Sequence, residues 1–258
     1  MFRVTTWRSS VFKSITAGFK SGPQVGFMRR LIYNDVAKTV LQPFCYGRFS
    51  TVKDDLHAGA PEALQYLARH ISSKDFNAIN LCTEDSFAKR LKDDLSEMDS
   101  VSWEITKVTS ANLASLNVIL GAIRGDTVDS DLVRSFLGLE YVINSKMVDK
   151  YGERPFSELL GSASDIYKDQ MNGIIIQADL VVAVDQAVNG VPCTEPVSHW
   201  VKLEMSIIPH SESSTEFRPT SNPQAEPQLS VAFEPTDWKI VDVNNVMGGN
   251  PPIARSTT

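Results

Sequence analysis

Asp179 and Asp185 lie on one alternating segment, GIIIQADLVVAVDQ, and an even spacing puts both on one face of a β-strand. Two carboxylates sharing a face could divide general acid and general base roles, one kept protonated and the other ionised. The residues between them alternate as a solvated face does, so ordinary exposed charge is the expected state of this pair. His199 projects to the apolar side of VSHWVKLEMSII, beside Val201, where a hydrogen-bonded core histidine is expected rather than a base. Glu204 and Lys202 lie on the opposite, polar side and read as cross-strand or solvent pairing. Trp238 opens the segment DWKIVDV, placed either to line a pocket or to close the core. None of these groups amounts to an active site, and no catalytic residue is assigned.

Motifs narrow the chemistry further. The sequence contains no G-x-x-x-x-G-K-[ST], no G-x-G-x-x-G, no H-E-x-x-H and no G-x-S-x-G. His57, His70, His199 and His210 are scattered, none at ligand spacing with a second histidine or a cysteine. Cys45, Cys82 and Cys193 form no C-x-x-C pair, which suits a reduced compartment. Neither a metal nor a cofactor is expected.

The elements that must position these side chains divide into a helical front and a strand-rich back. Residues 30–44 read as a helix with Leu31, Ile32, Val36, Val40 and Leu41 on one side, stopping near Pro43. A second helix starts at Ser50 or Thr51 and carries Val52, Leu56, Ala60, Ala63, Leu64, Leu67 and Ile71 at spacings of three and four. Gly59 and Pro61 are expected to kink or interrupt it. Short helices are expected over 76–81 and 84–98, with Thr83, Glu84 and Asp85 at the capping positions.

Strands follow with a clean two-residue period. Ile174, Ile176, Ala178, Leu180, Val182 and Val184 form one inner face, and Val197, His199, Val201, Leu203, Met205 and Ile207 another. QLSVAF repeats the pattern with Leu229, Val231 and Phe233; WKIVDV supplies a last strand and SWEITKV an early one. Helices first and one-faced strands afterwards predict an α+β fold, a curved antiparallel sheet with N-terminal helices packed on it. Between 112 and 171, Leu132, Val133, Phe136, Leu139, Val142 and Ile143 suggest helical periodicity. The polar, Pro- and Ser-rich residues 210–227 read as a mobile loop, and 251–258 as a disordered tail.

The first thirty residues hold six Lys or Arg and no acid, in a chain with 25 basic and 31 acidic groups overall. On a helical wheel Val4, Trp7, Val11, Phe12, Ile15 and Phe19 share a sector, with Lys13 and Lys20 opposite. Arg8 and Lys13 break any continuous apolar core of the secretory kind, so 1–30 reads as a mitochondrial transit peptide. A permanent interfacial helix is the competing reading. Residues 31–258 keep 19 basic against 31 acidic groups, a net charge of about −12. Such a surface weighs against DNA binding and extensive RNA contact. The expected organisation is one domain over 31–250.

This order of presequence, amphipathic helices and a sheet ending in WKIVDV resembles the mitochondrial cone-fold domains related to nuclear transport factor 2. It is similar above all to the m-AAA protease-interacting protein family. The likeness rests on Phe49-Ser50, Gly59-Ala60, Ala63, Ser72 or Ser73 with Phe76, and on Asp237, Trp238 and Ile240. It spans roughly 30–98 and 173–247, with 112–171 as an apparent insertion.

The resemblance implies a non-catalytic adaptor in the mitochondrial matrix, peripheral to the inner membrane. Its partners would be m-AAA protease subunits and small inner-membrane client proteins, calcium-uniporter subunits among them, which it would chaperone. A cone mouth lined by Leu203, Met205, Leu229, Val231, Phe233 and Trp238 would accept an apolar client segment, unless these side chains simply pack under the helices. Leu31, Ile32, Val36, Val40 and Leu41 would offer a second surface, to membrane or partner. The alternative is a structural subunit of the large mitochondrial ribosomal subunit, the import motor, or a respiratory or ATP-synthase complex. An isomerase-like enzyme would need a buried carboxylate, and exposure of Asp179, Asp185 and Glu204 together would remove it.

Overall fold

Apolar residues at spacings of three and four form helices where the sequence places them. The computed structural model describes residues 10–19, 49–136, 139–142, 173–209 and 233–256. Helix α1 is Val11–Thr16, α2 is Phe49–Ser73, α3 is Phe76–Cys82 and α4 is Asp85–Ser96. Asp75 caps α3 by accepting from the Ala78 N–H, and Glu84 caps α4 by accepting from Phe87. Contrary to the expected interruption, α2 runs unbroken through Gly59 and Pro61. Leu56, Ala60, Leu64, Leu67 and Ile71 are all buried along it, and that burial outweighs one missing backbone bond.

Three long antiparallel strands carry the sheet: β1 (Trp103–Leu120), β5 (Ile174–Val188) and β7 (Val197–Pro209). Strands β3 (Val133–Phe136) and β4 (Leu139–Val142) extend it beyond β1, with β4 parallel to β1. On the other flank, β8 (Phe233–Pro235) and β9 (Lys239–Val243) pair with β7, while β6 (Val191–Pro192) closes on β5. Register shifts along β1 mark bulges, which increase twist and curl the sheet into a half-barrel. The molecule is a mixed α+β fold with its N-terminal helices against this curled, mostly antiparallel sheet.

The helical expectation for 112–142 is corrected. The second half of β1, with β3 and β4, forms sheet there, after Thr127–Asp129 (β2) and a short 3-10 turn at Ser130–Leu132. Leu116, Val118, Ile119 and Leu120 are buried on both faces, and such a continuous apolar run carries no period-two signal. Residues 143–172, 210–232 and 20–48 lie outside the described residues. The expected helix at 30–44, the loop at 210–227 and most of QLSVAF therefore fall there.

The main core lies between the helices and the inner sheet face, as the alternation predicts. The other face is not left to solvent. Ile119, Ala122, Val128, Val142, Ile175 and Ile253 form a second apolar cluster on it. Residues 251–256, expected to be a disordered tail, take part: Ile253 is buried and Ala254–Ser256 (β10) pairs in parallel with β2.

Candidate functional site

At one end of the half-barrel the inner face turns polar. Gln186 continues the inward alternation of β5 past Val184, and His199 is an inward residue near the start of β7. Both are buried, with Trp103 from the start of β1 beside them; the Trp103 and His199 rings are 5.5 Å apart. Asn244 joins from the turn after β9, where its φ of 55° is a conformation that asparagine tolerates.

The protons in this cluster follow from its partners. The Trp200 N–H donates to Asn244 Oδ1 at 2.9 Å, so the Asn244 amide nitrogen faces His199 Nδ1 at 3.2 Å. Nδ1 is then an acceptor, and the His199 proton sits on Nε2, donating to Gln186 Oε1 at 2.9 Å. Trp103 Nε1–H donates to the same oxygen at 2.7 Å. Burial pushes the imidazole down from 6.5 to about 4, so His199 is neutral at ordinary pH. A buried, hydrogen-bonded core histidine is the expected state.

Both side-chain amides of this cluster also reach α1, while Gln186 Nε2 additionally contacts Cys193 Sγ at 3.9 Å. Gln186 Nε2 donates to the Thr16 carbonyl at 2.7 Å, and Asn244 Nδ2 donates to the Ile15 carbonyl at 2.7 Å. At the other end of α1, Asp94 Oδ2 accepts from the Phe12 N–H and the Ser10 hydroxyl, both at 2.9 Å. Ser10 Oγ in turn accepts from the Lys13 N–H as the helix N-cap. Val11, Phe12 and Ile15 are buried in the main core while Lys13 is exposed, so the predicted apolar side faces inward. A groove between α4, the β5–β7 end and the turn after β9 thus holds a short amphipathic helix by both ends.

The opposite face carries carboxylates, and two of them, Asp179 and Glu204, are buried. Asp179 accepts from Ser115 Oγ at 2.6 Å and Trp200 Nε1 at 3.0 Å, with Lys202 Nζ 3.6 Å away. Glu204, also buried, accepts from Arg124 Nη2 and Gln177 Nε2, each at 2.8 Å. Solvent exposure is corrected for Asp179, whereas Glu204 is paired across strands, its β5 register partner Gln177 donating to it while Arg124 links it to Asn250 of the C-terminal segment. Asp185 is half-buried, so the exposure that would have removed the isomerase-like alternative is not found. Both oxygens of Asp179 and of Glu204 are nevertheless engaged by neighbouring donors.

Three more ionisable groups are shifted by their surroundings. Burial raises Asp242 despite N–H donors from Met247 and Gly249. Burial also pulls Glu84 upward, but Ser86, Asn250 and Arg124 outweigh it and hold the carboxyl below its usual value. Cys82 is pushed up to about 11 by burial, which keeps it a thiol. A pocket of about 470 Å³ opens beside this network, lined by Gln177, Lys202, Glu140 and Arg255 among others. Among the described residues, no group of three or more His, Cys, Asp or Glu could hold a metal ion.

Of the residues proposed for a cone mouth, Leu203 is buried in the main core, and Met205 and Trp238 are half-buried against it. Phe233 begins β8, while Leu229 and Val231 lie outside the described residues, as do Leu31, Ile32, Val36, Val40 and Leu41. Of that set, Leu203, Met205 and Trp238 thus take part in the main core. Sequence reasoning missed Gln186, Asn244 and Asp94. Two signals were present: Gln186 and His199 are polar residues at inward positions, and the run VNNVMGGN announces a tight turn. No family model and no curated protein matches the chain.

Proposed function

We propose that this chain is a non-catalytic adaptor of the mitochondrial matrix, peripheral to the inner membrane and of the nuclear-transport-factor-2-like cone class. It binds m-AAA protease subunits and shelters small, newly imported inner-membrane proteins, calcium-uniporter subunits among them. One observation carries the reading. The fold holds a short apolar helix by main-chain handles at both ends, through Asp94, Asn244 and Gln186. Side chains that bond main-chain groups can accept segments of differing sequence, as an adaptor with several clients requires. The curled sheet under N-terminal helices and the basic, acid-free first thirty residues support the same reading.

Affinity purification of the full chain from detergent-solubilised mitochondria at moderate salt tests it. The expected result is recovery of the m-AAA protease with substoichiometric inner-membrane proteins. Stoichiometric recovery of ribosomal, import-motor or respiratory-complex subunits instead would make the chain a resident scaffold and end the adaptor reading.

A further inference from the structure

The helix already seated in the groove defines what else would fit there. We infer that the groove is a recognition site for a short amphipathic helix with a hydroxyl N-cap. Ser10–Phe19 fills it in cis, and a partner segment of the same pattern enters when this one leaves. The identity of the user rests on the adaptor reading; the groove itself does not.

The bonding pattern carries this inference. Helix α1 has six residues, too few to persist alone in water, so the groove makes it helical. Its first turn is closed by Asp94 and its last carbonyls by Asn244 and Gln186, all from elsewhere in the fold. Only Val11, Phe12 and Ile15 supply large buried apolar contact, an aliphatic–aromatic pair followed one turn later by an aliphatic residue. The segment leaves through Gly18, whose φ of +71° brings it against Val197 and the Ser198 carbonyl, where the Phe19 N–H donates at 3.0 Å. An added Cβ at Gly18 would lie 2.4 Å from Val197 Cγ1, so the exit tolerates little else.

A vacated groove is chemically unfinished. Gln186 Nε2 would lose the Thr16 carbonyl, Asn244 Nδ2 the Ile15 carbonyl and Asp94 the Phe12 and Ser10 donors, beside exposed apolar surface, and these lost bonds favour refilling. The occupant also lies within the stretch whose composition reads as a targeting signal. Import processing beyond Phe19 would deliver the groove open, whereas retention of the segment keeps it closed until a partner competes.

The test uses the full chain and a fluorescein-labelled synthetic peptide with the sequence of residues 8–20. Ile15→Asp in the chain puts a charge at a fully buried position of the occupant and leaves every groove residue unchanged. Apparent affinity falls by the fraction of open groove, so Ile15→Asp should bind the peptide at least about tenfold tighter than wild type. A peptide carrying the same substitution should not bind. Hydrogen exchange should show the Phe12, Ser14, Ala17 and Phe19 amides protected in wild type and released in the variant, with the central strands unchanged. Equal binding by wild type and a folded Ile15→Asp, or unprotected wild-type amides, overturns the inference. Gly18→Val, which crowds the exit, is the second release variant. If both variants lose protection throughout the sheet, α1 is a permanent part of the core and the inference falls. Peptide binding without recovery of the protease would sink the adaptor reading alone; the reverse would sink the groove alone.

Discussion

His199 shows how much one inward polar residue can organise. Asn244 fixes its tautomer, Gln186 accepts its proton, and the same two amides reach α1. A second proton on Nδ1 would face the Asn244 amide nitrogen; burial disfavours the charged ring, and the nearby Ile15 carbonyl offsets only part of that cost. The folded value near 4 lies below the ordinary 6.5, so between them the unfolded chain binds a proton that the folded chain refuses. Stability from this group is therefore full above about pH 6.5 and is lost as pH falls towards 4, by up to about 1.4 kcal/mol per unit. Asp242 works the other way, because burial raises it and falling pH relieves a cost in the folded state. The difference between wild type and His199→Gln isolates the imidazole. Urea midpoints from pH 7.5 to 5 should fall more steeply for wild type, and parallel curves would refute this account. His199 as a core histidine was legible from alternation alone. Its partner Asn244 was not, because it lies far away in sequence and, like Asp94 with α1, meets its partner only through the fold.

Elements were readable in proportion to the clarity of their period. α2, α3, α4, β5 and β7 stand where alternation or a three-four spacing marks them, and capping residues at Asp75 and Glu84 set their starts. β1 was read only at its first residues, because its second half is buried on both faces and loses its alternation. β3 and β4, two residues apart in the sequence, repeat apolar residues at a spacing that imitates a helix. The solvated reading of Asp179 failed for a related reason. A strand reveals which side chains share a face, but not whether a distant C-terminal segment covers that face. Within α2, Gly59 gives a direct test of local energetics. Its backbone is helical and an added Cβ would meet nothing within 4 Å. Gly59→Ala should therefore stabilise the protein by about 0.5–1 kcal/mol, through helix propensity and a less flexible unfolded chain. A lower denaturation midpoint would mean that this position is constrained by something other than the helix.

Across the described residues, an ionic network ties the C-terminal segment to the helices and the sheet. Arg124, from the loop after β1, forks onto Glu204 of β7 and donates to the Asn250 carbonyl at 3.2 Å; Asn250 Nδ2 donates to Glu84 at 2.9 Å. The helical layer, the sheet and the C-terminal segment therefore meet at a single guanidinium. Glu204 is 5 % exposed, so removing Arg124 strands a buried carboxylate whose remaining donor is Gln177. Breaking a buried pair from one side costs about 3–5 kcal/mol, whereas replacing both partners by apolar groups is often close to neutral. Arg124→Met should fall in the larger range. Arg124→Met/Glu204→Met should lose at least about 1 kcal/mol less, although Gln177 and Asn250 give up partners in both. Chemical denaturation gives the two values, and hydrogen exchange over Asn250–Ser256 locates the damage. Protection there should drop in the single variant before the central strands open, because Arg124 and Asn250 hold that segment against β7. A double variant as unstable as the single would show that the cost lies in the lost contacts of Arg124 and not in the stranded charge. In that case the network would act by packing the C-terminal segment onto the sheet, with electrostatics secondary.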